Sequence, residues 1–182
     1  MPEVRTGAAD NSADHVILVD ADDRPVGTMG KLEAHRLGLR HRAISVIVRD
    51  KANRLLLQQR ASGKYHSGGL WTNTCCSHPR PDEDTRDAAS RRLTEEMGFG
   101  CPISFLFVTH YRADVSNDLI EDEVVHVFGG RFDGTPDPDP SEVSDWRWMT
   151  PEEIARDIAA RPELYTVWFR TYCRNFWREM VG

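Results

Sequence analysis

Residues 71–99 read WTNTCCSHPRPDEDTRDAASRRLTEEMGF, and no other segment says more about the architecture of this chain. Its first part places the thiol of Cys76 two residues before the imidazole of His78. Its last part contains the adjacent carboxylates Glu95 and Glu96. Thiols, imidazoles and carboxylates this close in sequence are typical of metal or proton-transfer chemistry.

The second half of this segment predicts a helix. An N-cap at Asp84 and a stop at Gly98 bound a helix from about Arg86 to Met97. Arg92 and Glu96 are four residues apart, so they can reach one site together, although a solvated surface pair is the alternative. The expected buried stripe consists of apolar residues on the neighbouring face, at every fourth position: Ala89, Leu93 and Met97.

The spacing of polar residues across the segment is Ser77-x5-Glu83-x7-Arg91-Arg92-Leu93-Thr94-Glu95-Glu96-Met97-Gly98-Phe99. It resembles the Nudix box, G-x5-E-x7-R-E-U-x-E-E-x-G-U with U a bulky apolar residue, at seven of nine defined positions. In Nudix enzymes the carboxylates of the box bind Mg²⁺, and this Mg²⁺ coordinates the diphosphate of the substrate. Here Ser77 replaces the leading glycine, and Arg92 replaces a glutamate that helps hold metal in the hydrolases. Losing this carboxylate argues against hydrolysis, and gaining a cation suits diphosphate binding without cleavage.

Composition restricts the class of protein. A length of 182 residues with 40% apolar and 29% charged residues predicts one globular domain. The net charge of −6 and the absence of a long basic run argue against nucleic acid as a partner. No apolar run approaches the roughly 20 residues of a membrane span. We expect a flexible leader at residues 1–14, without a secretion signal, and a domain at residues 15–182.

The remaining chain predicts more strands than helices. Strands are expected at residues 15–20, 41–49, 54–60, 103–111, 123–132 and 144–149, and the first hairpin turns at residues 51–53. Helices are expected at residues 31–37, after Thr150-Pro151, and from Pro162 to the C-terminus, and residues 134–140 form a loop. Because these elements do not alternate strictly, the predicted class is α+β with a mixed β-sheet.

Histidines and acids form a second pattern. His35, His41 and His78 precede or accompany the box, and Glu121 and Glu123 face the same side of any extended segment. Together they would suit Mn²⁺ or Mg²⁺, or Zn²⁺ with fewer ligands. Each histidine alone is more often an ordinary polar contact, and the two glutamates could lie at a solvated junction between loop and strand. Spacing does not show that the five residues converge.

Four separated segments together resemble the type I isopentenyl-diphosphate Δ-isomerase family. They are the early K-x-x-x-H, the T-N-x-x-C-x-H-P motif, the divergent Nudix box and the later E-x-E, from about His15 to the C-terminal helix. The resemblance implies a Nudix-like mixed sheet sandwiched by helices in a single domain. It also implies that a double bond moves from isopentenyl to dimethylallyl diphosphate through a tertiary carbocation, in isoprenoid precursor biosynthesis.

The resemblance also implies metal-binding residues. Mn²⁺, or Mg²⁺ or Zn²⁺, would bind the histidine and acid set: His35, His41, His78, Glu121 and Glu123. A Mg²⁺ that accompanies the substrate diphosphate would bind Glu96 and the backbone carbonyl of Cys76. The neighbouring Cys75 points the other way in a strand, so we expect a structural role for it.

The remaining implied roles are catalysis and substrate binding. We expect Glu123, assisted by Tyr111, to deliver a proton and Cys76, as thiolate, to remove another; the reverse assignment stays open. Trp168 would face the carbocation with its π system, with core packing as the alternative. Diphosphate contacts would come from four cationic side chains: Lys31, Arg60, Lys64 and Arg92.

Two other functions stay open. A Nudix pyrophosphohydrolase would account for Glu95 and Glu96 but gives Cys76, His35 and His41 no role. A Nudix-like sensor would bind a diphosphate without turnover. For all three we expect a cytoplasmic monomer that acts on a small-molecule diphosphate, with no nucleic-acid or membrane partner.

Overall fold

The computed structural model describes residues 14–182, so the expected leader lies outside the described residues except for Asp14. No helix within residues 14–182 is long and apolar enough to cross a membrane. The strands are β1 His15–Val19, β2 Pro25–Gly30, β3 His41–Arg49, β4 Leu55–Arg60, β5 Trp71–Thr72, β6 Cys75–Ser77, β7 Ile103–Val115, β8 Leu119–Arg131 and β9 Val143–Met149. The α-helices are α1 Lys31–Leu37, α2 Thr85–Met97, α3 Pro151–Ala160, α4 Val167–Asn175 and α5 Trp177–Val181.

Strand β3 lies at the centre of a mixed sheet, which confirms the predicted α+β class. It pairs in parallel with β8 and antiparallel with β1, β4 and β6. Its apolar run from 43 to 48 is buried on both faces, as parallel pairing requires. The parallel register places His41 directly opposite Glu123. The topology therefore brings together two predicted site residues that are far apart in sequence.

The hairpin of β7 and β8 is longer than predicted at its turn. The expected strand ends at 111 and 123 were wrong, because pairing continues to Val115 opposite Leu119. Asn117 and Asp118 both have positive φ in the turn, which these two residue types tolerate well. The paired segments next to the turn are rich in polar residues, so the sequence there does not show the clear apolar alternation expected of a strand. Glu121 therefore lies within a strand rather than at a junction between loop and strand.

The predicted hairpin of β3 and β4 is correct at its turn, but its strands separate after one pair, Arg49 with Leu55. Strand β6 pairs with β3 instead, and β4 pairs with β5 and β9. The short strands β5 and β6 were not predicted. They carry no strand pattern of their own and are extended because they pair with β4 and β3, respectively. Strand β2 was also missed, since its residues are largely exposed and carry no alternating pattern.

Helix α2 confirms the predicted helix and its buried stripe. The carboxylate of Asp84 accepts the backbone N–H groups of Arg86 and Asp87, and Gly98 ends the helix with φ of 72°. Its stripe packs against the sheet with no exposed surface, at Ala88, Ala89, Leu93 and Met97. The packed stripe directs the neighbouring face of α2, with Arg92 and Glu96, toward the cavity described below.

The predicted single C-terminal helix from Pro162 was wrong. The chain forms a 3₁₀ turn at Pro162–Leu164 and then two separate helices, α4 and α5. Tyr165 is extended and bridges to Trp71, whose carbonyl accepts the N–H of Thr166 at 3.0 Å. Phe176 interrupts the second part, where its ring stacks on Phe107 at 4.1 Å between centroids. Tertiary contacts at these two residues therefore override the helical pattern.

Candidate active site

A cavity of about 310 Å³ collects most of the predicted site residues. It lies where β3, β6, β7 and β8 meet the side chains of α2 and α4. Its lining includes Lys31, Arg60, Lys64, Cys76, His78, Arg92, Glu96, Tyr111, Glu121, Glu123 and Trp168. His35 and His41 are fully buried and contact Glu123. The structure thus brings every predicted site residue to one place.

Three histidines and one carboxylate form a compact group of possible metal ligands. One nitrogen or oxygen from each of His35, His41, His78 and Glu123 lies within 4.8 Å of the others. The Oε1 atom of Glu123 is 3.0 Å from Nε2 of His78, 3.4 Å from Nε2 of His41 and 3.9 Å from Nε2 of His35. These donors suit a divalent transition metal, because neutral imidazoles and a carboxylate are its usual protein ligands.

The backbone orients two of the imidazoles toward this group. The Nδ1–H of His35 donates to the carbonyl of Lys31 at 2.7 Å, and that of His41 donates to the carbonyl of Leu39 at 2.7 Å. Each ring then turns its Nε2 atom toward Glu123. Metal-binding histidines show this arrangement, in which the second nitrogen is held by a backbone carbonyl.

Burial and neighbouring charges determine the protonation states. Burial lowers the pKa of His78 and of His66 to about 3, so both rings are neutral at pH 7. Burial opposes ionisation of Glu123, but hydrogen bonds from His41 and His78 hold its pKa well below the ordinary value. Burial and the charge of Glu123 raise the pKa of Glu121 well above the ordinary value. Of the two carboxyl groups, Glu121 therefore holds a proton more readily than Glu123 in the free protein.

Tyr111 connects the two carboxyl groups. Its hydroxyl lies 2.8 Å from Oε2 of Glu121 and 2.7 Å from Oε2 of Glu123. Tyr111 pairs with Glu123 across the β7–β8 hairpin, so the strand register produces this contact. A phenol between two carboxyl groups can pass a proton from one to the other.

Cys76 lines the same cavity from β6. Its thiol donates to Oδ1 of Asn73 at 3.1 Å and lies 3.3 Å from Oγ of Ser45. The indole N–H of Trp168 donates to the sulfur at 3.1 Å. Burial raises the pKa of Cys76 to about 11, so the thiol is protonated at neutral pH. Cys75 is fully buried in the apolar core next to α2, as expected of a structural residue.

Trp168 belongs to both the core and the site. Its side chain is almost fully buried among the apolar residues of the larger core cluster. It also lines the cavity, and the guanidinium of Arg60 lies 5.3 Å from its ring centroid. The packing interpretation of Trp168 is therefore confirmed, and the stabilisation of a carbocation by its π face stays a prediction.

Cationic side chains form the polar end of the cavity. The Nη2 of Arg92 donates to Oε1 of Glu96 at 2.7 Å and to Oε1 of Glu142 at 3.1 Å. Glu142 also forms an ion pair with Lys64. The second oxygen of Glu96 accepts from Nε2 of Gln58 at 3.1 Å. Glu142 thus holds two predicted diphosphate contacts in place in the free protein.

Two residues of the site were missed from sequence. Glu142 follows an acidic loop whose composition does not distinguish it from its neighbours. His66 lies in the loop between β4 and β5, with Nε2 at 3.2 Å from Oε1 of Glu121. His66, His35 and Glu121 form a second group with ligand atoms within 4.8 Å of one another. His66 could have been suspected as a site residue, because it lies two residues after Lys64, a predicted diphosphate contact.

Comparison with known proteins gives the family. The model of the NUDIX domain matches residues 39–169. The isopentenyl-diphosphate Delta-isomerase of Burkholderia multivorans is 56% identical over 86% of this chain and 89% of its own length. The corresponding protein of Pectobacterium atrosepticum is 48% identical over 90% of this chain and 93% of its own length.

Solved structures agree on the fold. A Deinococcus radiodurans protein matches 89% of this chain and 99% of its own, with a TM-score of 0.72 and 19% identity. A MutT protein of Methanosarcina mazei matches 77% of this chain and 94% of its own, with a TM-score of 0.64 and 18% identity. Because these identities are low, the two structures support the architecture alone. On the sequence matches, the chain belongs to the Nudix family and, within it, to the family of isopentenyl-diphosphate Δ-isomerases.

Proposed function

We propose that this chain interconverts isopentenyl diphosphate and dimethylallyl diphosphate. The observation that supports this activity best is the pairing of a thiol and a carboxylate in one cavity. Cys76 and Glu123 both line it, and they differ in protonation state in the free protein. The names of the relatives agree with this activity.

The reaction needs two proton-transfer groups. One group adds a proton to the terminal carbon of the alkene, which leaves a tertiary carbocation. The other removes a proton from the neighbouring carbon on the diphosphate side, and the electrons of that C–H bond form the new double bond. After one turnover the first group has lost a proton and the second has gained one, so the pair returns to its starting state by exchanging protons with solvent.

We assign these two roles to Cys76 and Glu123. The protonation states of the free protein support the reverse of the order expected from sequence, with the thiol as the starting acid and the carboxylate as the starting base. Tyr111, whose hydroxyl contacts both Glu121 and Glu123, would move the proton onward from the carboxylate. Each group acts on the substrate only from its own side of the cavity.

The histidine and acid group would hold a divalent cation, Mn²⁺ or alternatively Mg²⁺ or Zn²⁺. The proposed ligands are His35, His41, His78, Glu121 and Glu123. When bound, the cation supplies positive charge next to the two carboxyl groups, which favours their ionised forms. Burial of the donors and the backbone contacts of His35 and His41 support this assignment.

The diphosphate would bind at the cationic end of the cavity. Arg60, Lys64 and Arg92 line it there, and Lys31 contributes a fourth positive charge. Glu96 and the backbone carbonyl of Cys76 would hold the accompanying Mg²⁺, because carboxylate and carbonyl oxygens are the ligands that Mg²⁺ prefers. Glu142 would have to release Lys64 or share it with the incoming phosphate.

We further propose that the enzyme works as a cytoplasmic monomer on this small-molecule substrate. Every residue assigned to catalysis, cation binding or diphosphate binding comes from one chain. A second copy is therefore not needed to complete the site.

An assay of three products separates the open functions. Purified protein is incubated with isopentenyl diphosphate, Mg²⁺ and Mn²⁺, and the mixture is followed by ¹H and ³¹P NMR. The isomerase forms dimethylallyl diphosphate without free phosphate. A pyrophosphohydrolase would release phosphate or a monophosphate, and a sensor would leave the substrate unchanged; either result would overturn the proposal.

A further inference from the structure

His66 is a buried histidine of the cavity for which the proposed reaction has no role. It is 3% exposed, lies in the loop between β4 and β5 and lines the same cavity as the catalytic pair. Its Nε2 atom lies 3.2 Å from Oε1 of Glu121, an oxygen different from the one that contacts Tyr111. A buried imidazole that faces a buried carboxyl group at this distance is a possible metal ligand.

The ring of His66 is oriented like those of His35 and His41. Its Nδ1 is 3.1 Å from the hydroxyl of Ser67, whose own backbone N–H donates to Oγ of Ser116 at 2.9 Å. The hydroxyl of Ser67 can accept from Nδ1–H, and in that tautomer the lone pair of Nε2 lies on the side of Glu121. A partner on the second nitrogen is what orients a metal-binding histidine.

Neighbouring groups hold this orientation. The ring of His66 stacks with that of His35 at 5.6 Å between centroids and meets the indole of Trp168 edge-on at 6.0 Å. The Nη2 of Arg60 donates to the backbone carbonyl of His66 at 3.0 Å. The loop position of His66 is thus linked to both the cation site and the diphosphate end of the cavity.

The two ligand groups share one residue. His35 belongs to the group with His41, His78 and Glu123, and also to the group with His66 and Glu121. The Nε2 of a neutral imidazole has one lone pair, so His35 cannot bind two cations at once. The six donor atoms of the two groups do not all lie within 4.8 Å of one another, so one cation bound by His35 would draw ligands from both groups after a small inward shift of these side chains.

We propose that His66 is an additional ligand of this cation, bound through Nε2. The inference rests on the cation site proposed above and extends it to four imidazoles and two carboxylates. Six protein donors complete an octahedral shell and leave no position for water. A closed shell of this kind does not activate a water nucleophile, in contrast to catalytic sites that keep an open position. The cation would then act through its charge, which suits proton transfer and not hydrolysis.

Coordination can be observed directly with ¹¹³Cd²⁺ as the probe. The full chain is labelled with ¹⁵N-histidine, loaded with one equivalent of ¹¹³Cd²⁺, and examined for one-bond coupling between ¹¹³Cd and ¹⁵Nε2. The His66 resonance is identified by its loss in His66→Phe. We expect coupling at four histidines, His66 included, and at three in His66→Phe.

The affinity for Mn²⁺ provides a second readout. We expect His66→Phe to weaken Mn²⁺ binding about tenfold or more, since even the outer partners of metal ligands affect affinity by about 10–100-fold. His110→Phe is the matched control, because His110 is partly exposed and contacts Asp122 outside the cavity. Circular dichroism establishes whether His66→Phe is folded, and the number of coupled histidines in the unsubstituted protein, four against three, does not depend on that variant.

The outcomes distinguish this inference from the function on which it rests. Coupling at His35, His41 and His78 without coupling at His66 would overturn the ligand role of His66 and leave the cation site intact. Absence of coupling at all histidines would overturn the cation site, and the role of His66 with it. Neither result would depend on whether the protein isomerises its substrate.

Discussion

Trp168 shows at the residue scale how one side chain connects the core with the chemistry. Its ring is packed in the core, its N–H donates to the sulfur of Cys76, and its π face lies beside Arg60. A carbocation is stabilised by such a π face, by roughly 1–2 kcal/mol when water is excluded. The same face would not trap the cation covalently, as an anionic group could.

This contact predicts different effects for two apolar replacements. Trp168→Phe keeps a π face and loses the N–H, whereas Trp168→Leu loses both. We expect kcat of the leucine variant to fall about tenfold or more below that of the phenylalanine variant, since about 1.4 kcal/mol corresponds to tenfold. Steady-state kinetics with isopentenyl diphosphate measures the difference. Equal kcat values would mean that Trp168 acts only in packing.

Individual residues also show how far the site could be predicted from sequence. Cys76 and His78 lie in one motif, and Glu121 and Glu123 have a spacing that places them on one side of a strand. His66 and Glu142 could not be predicted, because their side chains reach the cavity from loops. Loop geometry depends on tertiary contacts, such as the hydrogen bond from the Ser67 N–H to Ser116, that leave no periodic pattern in the sequence.

At the scale of elements, the end of α2 is fixed by the loop that follows β8. The N–H of Asp137 donates to the carbonyl of Met97 at 3.2 Å, and that of Asp139 donates to the carbonyl of Glu96 at 3.0 Å. Gly98 has φ of 72°, and a Cβ added there would lie 2.0 Å from the carbonyl oxygen of Asp137. The loop can therefore approach the helix end only because residue 98 is glycine.

Gly98→Ala is accordingly expected to destabilise the protein. The left-handed conformation alone costs a non-glycine residue roughly 1–2 kcal/mol, and the loop must also move. We expect the free energy of unfolding from urea denaturation to fall by more than about 1 kcal/mol. Gly27→Ala is the control, because a Cβ at Gly27 meets no atom within 4 Å. A loss of stability no larger than that of the control would contradict this account.

Elements differ in how well the sequence predicts them. Helix α2 has a capping aspartate, a glycine stop and regular apolar spacing, and α1 has a glycine stop, so local rules were sufficient. The region after Pro162 has helical spacing as well, but Tyr165 pairs with Trp71 and Phe176 stacks on Phe107, and these contacts break it into separate pieces. Strand β6 was missed because its neighbours in the sheet, not its own residues, determine that it is extended.

At the scale of the whole molecule, the parallel pairing of β3 with β8 assembles the site. It places His41 beside Glu123, and the β7–β8 hairpin adds Tyr111 on the other side of the same residue. The order of strands in the sheet could not be derived from local patterns, because it depends on pairings between distant segments. The family resemblance, rather than periodicity, supplied the expectation that these residues share one site.

Charged networks across the fold predict a loss of stability in acid. Loss of solvation on burial raises the pKa of Asp122, but hydrogen bonds from His110, Arg40 and Arg112 outweigh it and hold the pKa below the ordinary value of 3.8. A carboxylate with a lowered folded-state pKa contributes stability that is present above its unfolded-state pKa. This contribution is lost as the pH falls from the ordinary value through the folded-state pKa.

The contribution of Asp122 can be measured by urea denaturation between pH 6 and about pH 3. We expect Asp122→Asn to lower the free energy of unfolding at pH 6 and to approach the unsubstituted protein near pH 3. Asp114→Asn, at an exposed residue of β7, should leave the pH dependence unchanged. If Asp122→Asn kept the full pH dependence of the unsubstituted protein, the network would not be the cause.

The isomerase assignment is tested most directly by the fate of solvent deuterium. The protein, with Mg²⁺ and Mn²⁺, is incubated with isopentenyl diphosphate in deuterated water and the product is examined by NMR. We predict that the unsubstituted protein forms dimethylallyl diphosphate with deuterium in a methyl group. Cys76→Ala should form no deuterated product. Cys101→Ala should form it as the unsubstituted protein does, since Cys101 does not line the cavity. If Cys76→Ala formed deuterated product at the rate of the unsubstituted protein, the role of the thiol would be contradicted. If the unsubstituted protein left the substrate unchanged or released free phosphate, the isomerase assignment itself would be contradicted.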